Sequence, residues 1–219
     1  MNDLGLNTLR IGMSLHQALK LADDAFTLYD ERSASIGTGT KDGALHLQCV
    51  KGCSYCCHLE VGVSALEVIA IKQFLERPEN RSNLERVKTR VRHQRKAVGD
   101  LRDEGRKNAR IMCPLLSDEG ACGVYGARPI ACRSYASFDR AACERDWQQP
   151  EAEQLVPYSE TLRDMAKHLA PQIQGAQSKL GIVRGAYELI RALHVAFSTP
   201  DFERRCMAGE DVLAKAALR

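Results

Sequence analysis

Apolar side chains recur at steps of three and four along most of this chain, and no run alternates with polar residues for long enough to suggest an extended strand. Leu15, Leu19, Ala22, Phe26 and Tyr29 follow the helical spacing, so residues 8–31 are predicted to form one amphipathic helix. The stretch SASIGTGTKDG, residues 33–43, is small and Gly-rich and predicts a connector. Ser64 and Glu67 form a capping box ahead of Leu66, Ile69, Ala70 and Leu75, which predicts a strongly apolar helix ending before Pro78. A second box, Ser82 with Glu85, predicts a helix striped by Leu84, Val87, Val91, Val98 and Leu101, with basic residues on its other faces.

Between Met112 and Pro150 the period fades, and Gly, Pro, Cys and Asp recur at short intervals. That stretch reads as loops and short turns held by something other than an apolar face. The helical period returns over 159–169, 174–197 and 202–218, with breaks at Pro171 and at Ser198-Thr199-Pro200. The expected fold is mainly α, with an irregular Cys-rich core packed among helices.

Composition changes this picture at one point. A chain of 219 residues, 44% hydrophobic and 27% charged, has ordinary globular values, and no apolar run reaches membrane-spanning length. A net charge of +3 calls for no polyanionic partner. Nine cysteines are the exception, because eight of them fall between Cys49 and Cys143. The opening MNDLGLNTLR lacks the basic and apolar pattern of a secretory signal, so the expected address is the cytoplasm. Disulfides are rare there, which leaves metal ligation or thiol redox chemistry for clustered cysteines.

The first group is Cys49, Cys53, Cys56 and Cys57, in CVKGCSYCCH. Two intervening residues let Cys53 and Cys56 converge on one ion while backbone N–H groups point at their sulfurs. Cys56 and Cys57 are adjacent, and their side chains diverge by about 100° on a helix, so one tetrahedral ion does not readily take both. Two ions or a multinuclear cluster would resolve that geometry. Cys113, Cys122, Cys132 and Cys143 form the second group, at spacings that only chain folding can bring together. Eight thiols would fill two four-coordinate sites, holding zinc or iron, the latter including a [4Fe–4S] cluster. Thiolates leave such sites negative, and Arg128 and Arg133 could offset that charge from just outside the ligands. Tyr125 and Tyr135 could donate hydrogen bonds to sulfur.

CSYCC, a capped helix bearing Glu67, CPLL, CGVYGARPIACRSY and finally Cys143 occur in one order over residues 46–148. That arrangement resembles the YkgJ-type cysteine-cluster family of zinc- or iron-chelating domains. The resemblance implies Cys49, Cys53, Cys56, Cys57, Cys113, Cys122, Cys132 and Cys143 as metal ligands. The family commonly separates its first two cysteines by two residues, whereas Val50, Lys51 and Gly52 intervene here. A related group resembles flagellin lysine N-methylases with an iron–sulfur cluster, on considerably longer chains. The expected organisation is an N-terminal helix and Gly-rich connector at 1–45, a cysteine-cluster metal-binding domain at 46–150, and a C-terminal helical extension at 151–219.

Other features read more plainly. Cys206 is alone on a predicted helix and is expected to pack. The spacing of Cys49, Cys53 and Cys56 matches radical-SAM enzymes, and Cys53 with Cys56 matches thioredoxins, but the βα repeats and the βαβ unit those folds require are missing from the pattern. His46 and His58 flank the first group and are expected on loops. Residues 77–110 carry twelve Lys/Arg against five Asp/Glu without interleaved aromatics, a pattern of a solvated helix more than of a nucleic-acid face. The expected function is a structural or metal-handling module with a Cys-ligated zinc or iron–sulfur site. The alternative is an iron–sulfur oxidoreductase or a protein-modifying, lysine methylase-like enzyme. A metal ion is the expected partner, with room for a protein partner and none expected in a membrane.

Overall fold

The computed structural model describes residues 13–36, 46–99, 101, 103–152 and 155–218. Helix α1 spans Leu15–Ser35 and opens on a capping box in which Ser14 and Gln17 exchange side-chain and backbone hydrogen bonds. The helix therefore starts later than the apolar spacing suggested, and it ends later too, taking in residues expected in the connector. Residues 8–12 of the expected helix and 37–43 of the connector lie outside the described residues. Ala18, Ala22, Ala25, Phe26 and Tyr29 make its buried stripe.

Strand β1, Gly62–Val63, leads into α2, Ala65–Glu76, whose capping box of Ser64 and Glu67 is formed as expected. Helix α3, Arg81–Val98, begins one residue before Ser82, after a 3-10 turn at Pro78–Asn80, so the second expected box is not made. Asn80 sits at the cap but turns its side chain back, donating to the Phe74 carbonyl at 2.7 Å. The predicted stripe of α3 is buried through Val98, joined by Gln94. Helix α4 spans Asp103–Asn108.

The aperiodic stretch holds more helix than its pattern showed: α5 at Ile130–Ser134 and α6 at Arg140–Gln148. Both are too short to display a period and are set by their caps. The Asp139 carboxylate accepts the Ala142 N–H at 2.9 Å, and the Ile130 N–H goes to Glu67. Helix α7, Glu160–Lys179, runs straight through Pro171, contrary to the expected break. Its apolar stripe of Leu162, Leu169, Ile173 and Ala176 packs inward while Pro171 lies exposed, so burial outweighs the missing N–H. Gly181 is what stops the helix: at φ +77° it takes the left-handed turn while the Ile182 N–H reaches back to the Gln177 carbonyl. Strand β2, Tyr187–Glu188, pairs antiparallel with β1, and α8, Leu189–Ser198, and α9, Phe202–Met207, follow. The fold is mainly α, with this two-stranded pair as the sheet among the described residues.

Two apolar clusters form the core. The first joins α2, α3, α8 and α9 and includes Leu115, Val124 and Ala127; the second joins α1 and α7 around Leu66, Ile130 and Ala136. The second cluster mixes residues from before, within and after the cysteine region, and the first joins residues within and after it, with Leu15 and Leu19 packed against it. Cys113, Cys122 and Cys132 pack on the edge of the first, whereas Cys206 is buried inside it among apolar neighbours.

Candidate metal centre

The cysteines are carried on four local structures. Cys56 and Cys57 lie in a 3-10 turn, Tyr55–His58, entered from the loop bearing Cys49 and Cys53. Cys113 and Cys122 stand at the two ends of a narrow turn closed by the Gly123 N–H on the Leu115 carbonyl at 2.8 Å and by the Leu116–Cys122 bridge. Cys132 is on α5 and Cys143 on α6. The two loops meet directly, because a Cβ on Gly120 would come within 3.2 Å of the Gly52 carbonyl oxygen.

Specific hydrogen bonds hold these pieces in register. The Cys113 N–H donates to the Cys57 carbonyl at 2.7 Å. The Ser137 N–H points at the Cys49 sulfur at 3.3 Å, the Cys49 thiol lies 3.8 Å from the Tyr135 carbonyl, and Cys143 hydrogen-bonds the Ser137 side chain. Backbone N–H groups two residues further on face three more sulfurs, from Tyr55 to Cys53, Leu115 to Cys113 and Val124 to Cys122. Such N–H groups stabilise a thiolate and leave its other side open.

Burial dominates the acid–base character of the group. It pushes the thiols of Cys49, Cys53, Cys113 and Cys122 above their ordinary range, Cys143 up to about 11 and Cys132 up to about 12, and neighbouring thiols add to the rise. Cys56 is raised first by its hydrogen bond with Cys57 and then by burial. Cys56 also acts on Cys49, Cys53, Cys143, Cys122 and Cys132, which puts it at the middle of the constellation. Among the described residues no three Cys, His, Asp or Glu side chains form a grouping that could hold an ion. The donor set nevertheless fits a thiophilic metal: thiols from four segments share one neighbourhood, with backbone N–H groups already aimed at several of them.

Two arginines near Cys132 have separate roles. Arg128 donates to the Cys132 carbonyl at 2.6 Å. Burial pulls its pKa down, but Cys132, Cys56, Cys122 and Cys57 outweigh that and raise it. Arg133 is buried and points elsewhere, pairing with Asp30 of α1, donating to the Arg128 and Tyr125 carbonyls at 2.9 Å, and stacking 4.9 Å from the Phe26 ring. Tyr125 is 56% exposed beneath both guanidinium groups, and Tyr135 sets its ring edge-on to Tyr158 at 5.5 Å. Neither tyrosine hydroxyl hydrogen-bonds a sulfur among the described residues. His46 is exposed, while His58 bonds the Ser54 carbonyl at 3.2 Å and lies 5.7 Å from the Trp147 ring.

Three participants escaped the sequence pattern. Ser137 joins Cys49 to Cys143, and Trp147, one turn after Cys143, packs on Tyr55 and His58 across the 3-10 turn. Glu67 does more than cap. Its Oε2 accepts from the Ser64 N–H and hydroxyl, both at 2.8 Å, and its Oε1 accepts the Ile130 N–H at 2.9 Å, anchoring the helix that carries Cys132. The spacing of Glu67 from Ser64 announces the first contact only.

Helices that gather thiols from several stretches of chain beside a half-buried guanidinium define a cysteine-cluster domain. The chain belongs to the CxxCxxCC family, described as a putative zinc- or iron-chelating domain, whose model matches residues 48–160, just over half of the chain. No curated protein and no solved structure matches it. No helix among the described residues is long and apolar enough to cross a membrane.

Proposed function

We propose that the protein is a Cys-ligated metal-binding module in which zinc or iron, bound by Cys49, Cys53, Cys56, Cys57, Cys113, Cys122, Cys132 and Cys143, orders the region between the helices. The observation that carries this reading is Arg128. Its guanidinium is half-buried among Cys132, Cys56, Cys122 and Cys57, and no carboxylate pairs with it among the described residues. A cation drawn partly out of water with no anion beside it is costly, and thiolates bound to a metal would supply the missing charge. Zinc would contribute folding free energy alone, and a thiolate-held iron cluster would add a one-electron couple.

Anaerobic purification, elemental analysis and a visible spectrum test the reading together. Zinc or iron in near-integral ratio to protein is expected. Colour that bleaches on reduction assigns iron, and a colourless loaded protein assigns zinc. Folded, metal-free protein that takes up neither metal and leaves all eight clustered thiols freely titrating overturns the proposal.

A further inference from the structure

We infer that the eight clustered cysteines divide into two zinc sites that cut across chain order. Cys49, Cys53 and Cys143 hold one ion, Cys113, Cys122 and Cys132 hold the other, and the double cysteine, Cys56 with Cys57, gives one thiol to each. The inference rests on the metal-binding reading above and assigns its ligands.

Chain order would place Cys143 with Cys113, Cys122 and Cys132. The fold separates it from them. Helix α6 lies against the Tyr55–His58 turn, with Trp147 seated 6.1 Å from the Tyr55 ring, and this brings Cys143, one helical turn before Trp147, to the Cys53–Cys56 side. Ser137 closes the same side, bonding Cys49 through its N–H and Cys143 through its side chain. The neighbouring thiols that act on Cys143 are Cys49, Cys56 and Cys53, with none of the second group among them.

The other three are joined just as directly. Cys113 and Cys122 stand at the two ends of one narrow turn, and both act with Cys132. The double cysteine touches both sets: Cys56 acts on Cys49, Cys53 and Cys143 and also on Cys122 and Cys132, and the Cys57 carbonyl takes the Cys113 N–H at 2.7 Å. The double cysteine is the joint. In a 3-10 turn successive side chains are about 120° apart, so Cys56 and Cys57 can each serve a different ion while their own sulfurs remain neighbours.

Both sites have a cation near them. Zinc with four thiolates carries two net negative charges. Arg128 stands among Cys132, Cys122 and the double cysteine and also acts on Cys49. Arg140, 5.9 Å over the Tyr55 ring, acts on Cys53. Each proposed site therefore has an arginine beside it.

Zinc alone is the probe, added to reduced full-length protein. The chain is expected to bind two equivalents. The variant pair Cys53→Ser/Cys143→Ser should keep one, because both changes fall in one site, and Cys113→Ser/Cys143→Ser should keep none. Grouping by chain order gives the reverse result for the two pairs, and that outcome overturns the inference. Trp147, the chain's single tryptophan, adds an independent readout: its emission should respond to zinc in Cys113→Ser and not in Cys143→Ser. Should a variant lose helical circular dichroism, the unaltered protein decides. Zinc is withdrawn stepwise with a chelator, and cysteines that become open to alkylation are mapped by mass spectrometry. Cys49, Cys53 and Cys143 should open as a block. Eight thiols opening together, or one equivalent of zinc in the whole chain, overturns the division while leaving metal binding intact. Failure to take up any metal overturns the underlying reading instead.

Discussion

A guanidinium among thiols and a guanidinium paired with a carboxylate differ in what their removal exposes. Arg128→Gln removes the cation facing Cys132, Cys56, Cys122 and Cys57, and should release zinc to a chelator roughly 10 to 100-fold faster with helix content kept. Arg133→Gln breaks the pair with Asp30 and strands carbonyls of the Tyr125–Arg128 turn, so it should lower the urea midpoint by about 1–3 kcal/mol equivalent. Which arginine turns to sulfur is not legible from the string RPIACR, since that depends on Asp30, far away on α1. The cysteines were legible as a set, through density and the double Cys; the partner of Cys143 was not, since Ser137 and Trp147 carry no ligand-like spacing. The thiols also set opposite pH trends with and without metal. Burial raises Cys143 to about 11 and Cys132 to about 12 in the metal-free fold. Their contribution is complete below the unfolded thiol value of about 8.5 and is lost as pH rises toward the folded values, because the unfolded chain gives up protons first. Reduced, metal-free protein should therefore weaken between about pH 9 and 11, whereas the zinc-loaded form should weaken as pH falls and protons displace the ion. Urea unfolding across pH with and without zinc checks both signs.

Among the elements, those with long apolar stripes could be read directly, and those set by one distant cap could not. Helix α2 announces itself through Ser64 and Glu67, whereas α5 begins where the other oxygen of Glu67 meets the Ile130 N–H, a contact between residues 63 positions apart. Ser64→Ala should cost about 1 kcal/mol, the usual worth of a cap. Glu67→Ala loses that and leaves a buried N–H unpaired, for about 2–4 kcal/mol in all, and should also loosen zinc because α5 carries Cys132. Equal effects of the two substitutions on stability and zinc release would show that the second contact of Glu67 is idle. Pro171 misled in the other direction, since proline normally ends a helix but here sits on the exposed face of α7. Removing a local penalty that packing already overrides should help, so Pro171→Ala is expected to stabilise by about 1–3 kcal/mol and raise the thermal midpoint by several degrees.

At the scale of the molecule, the matched family region ends at residue 160, yet the floor beneath Cys113, Cys122 and Cys132 is completed by α8 and α9 beyond it. Glu188 is the fastening. It pairs in β2 with Gly62 of β1, accepts the Arg191 N–H at 2.8 Å to cap α8, and meets Arg106 of α4 at 3.0 Å. Side chains of the pair are 1% and 0% exposed, and Arg106 keeps two guanidinium nitrogens, Nε and Nη1, without hydrogen-bond partners among the described residues. That imperfection sets the expected energetics. Glu188→Ala leaves a buried cation uncompensated and removes the cap, so it should cost about 3–5 kcal/mol in urea unfolding. Arg106→Met alone leaves the carboxylate, among the described residues, with its bond at the cap and should cost nearly as much. With Glu188→Gln added, the amide oxygen retains the cap and no charge is buried, so the double variant should recover most of the loss. A strongly non-additive cycle of this kind locates the cost in the desolvated charges. Additive losses would place it in the packing of α4 and α8 around them.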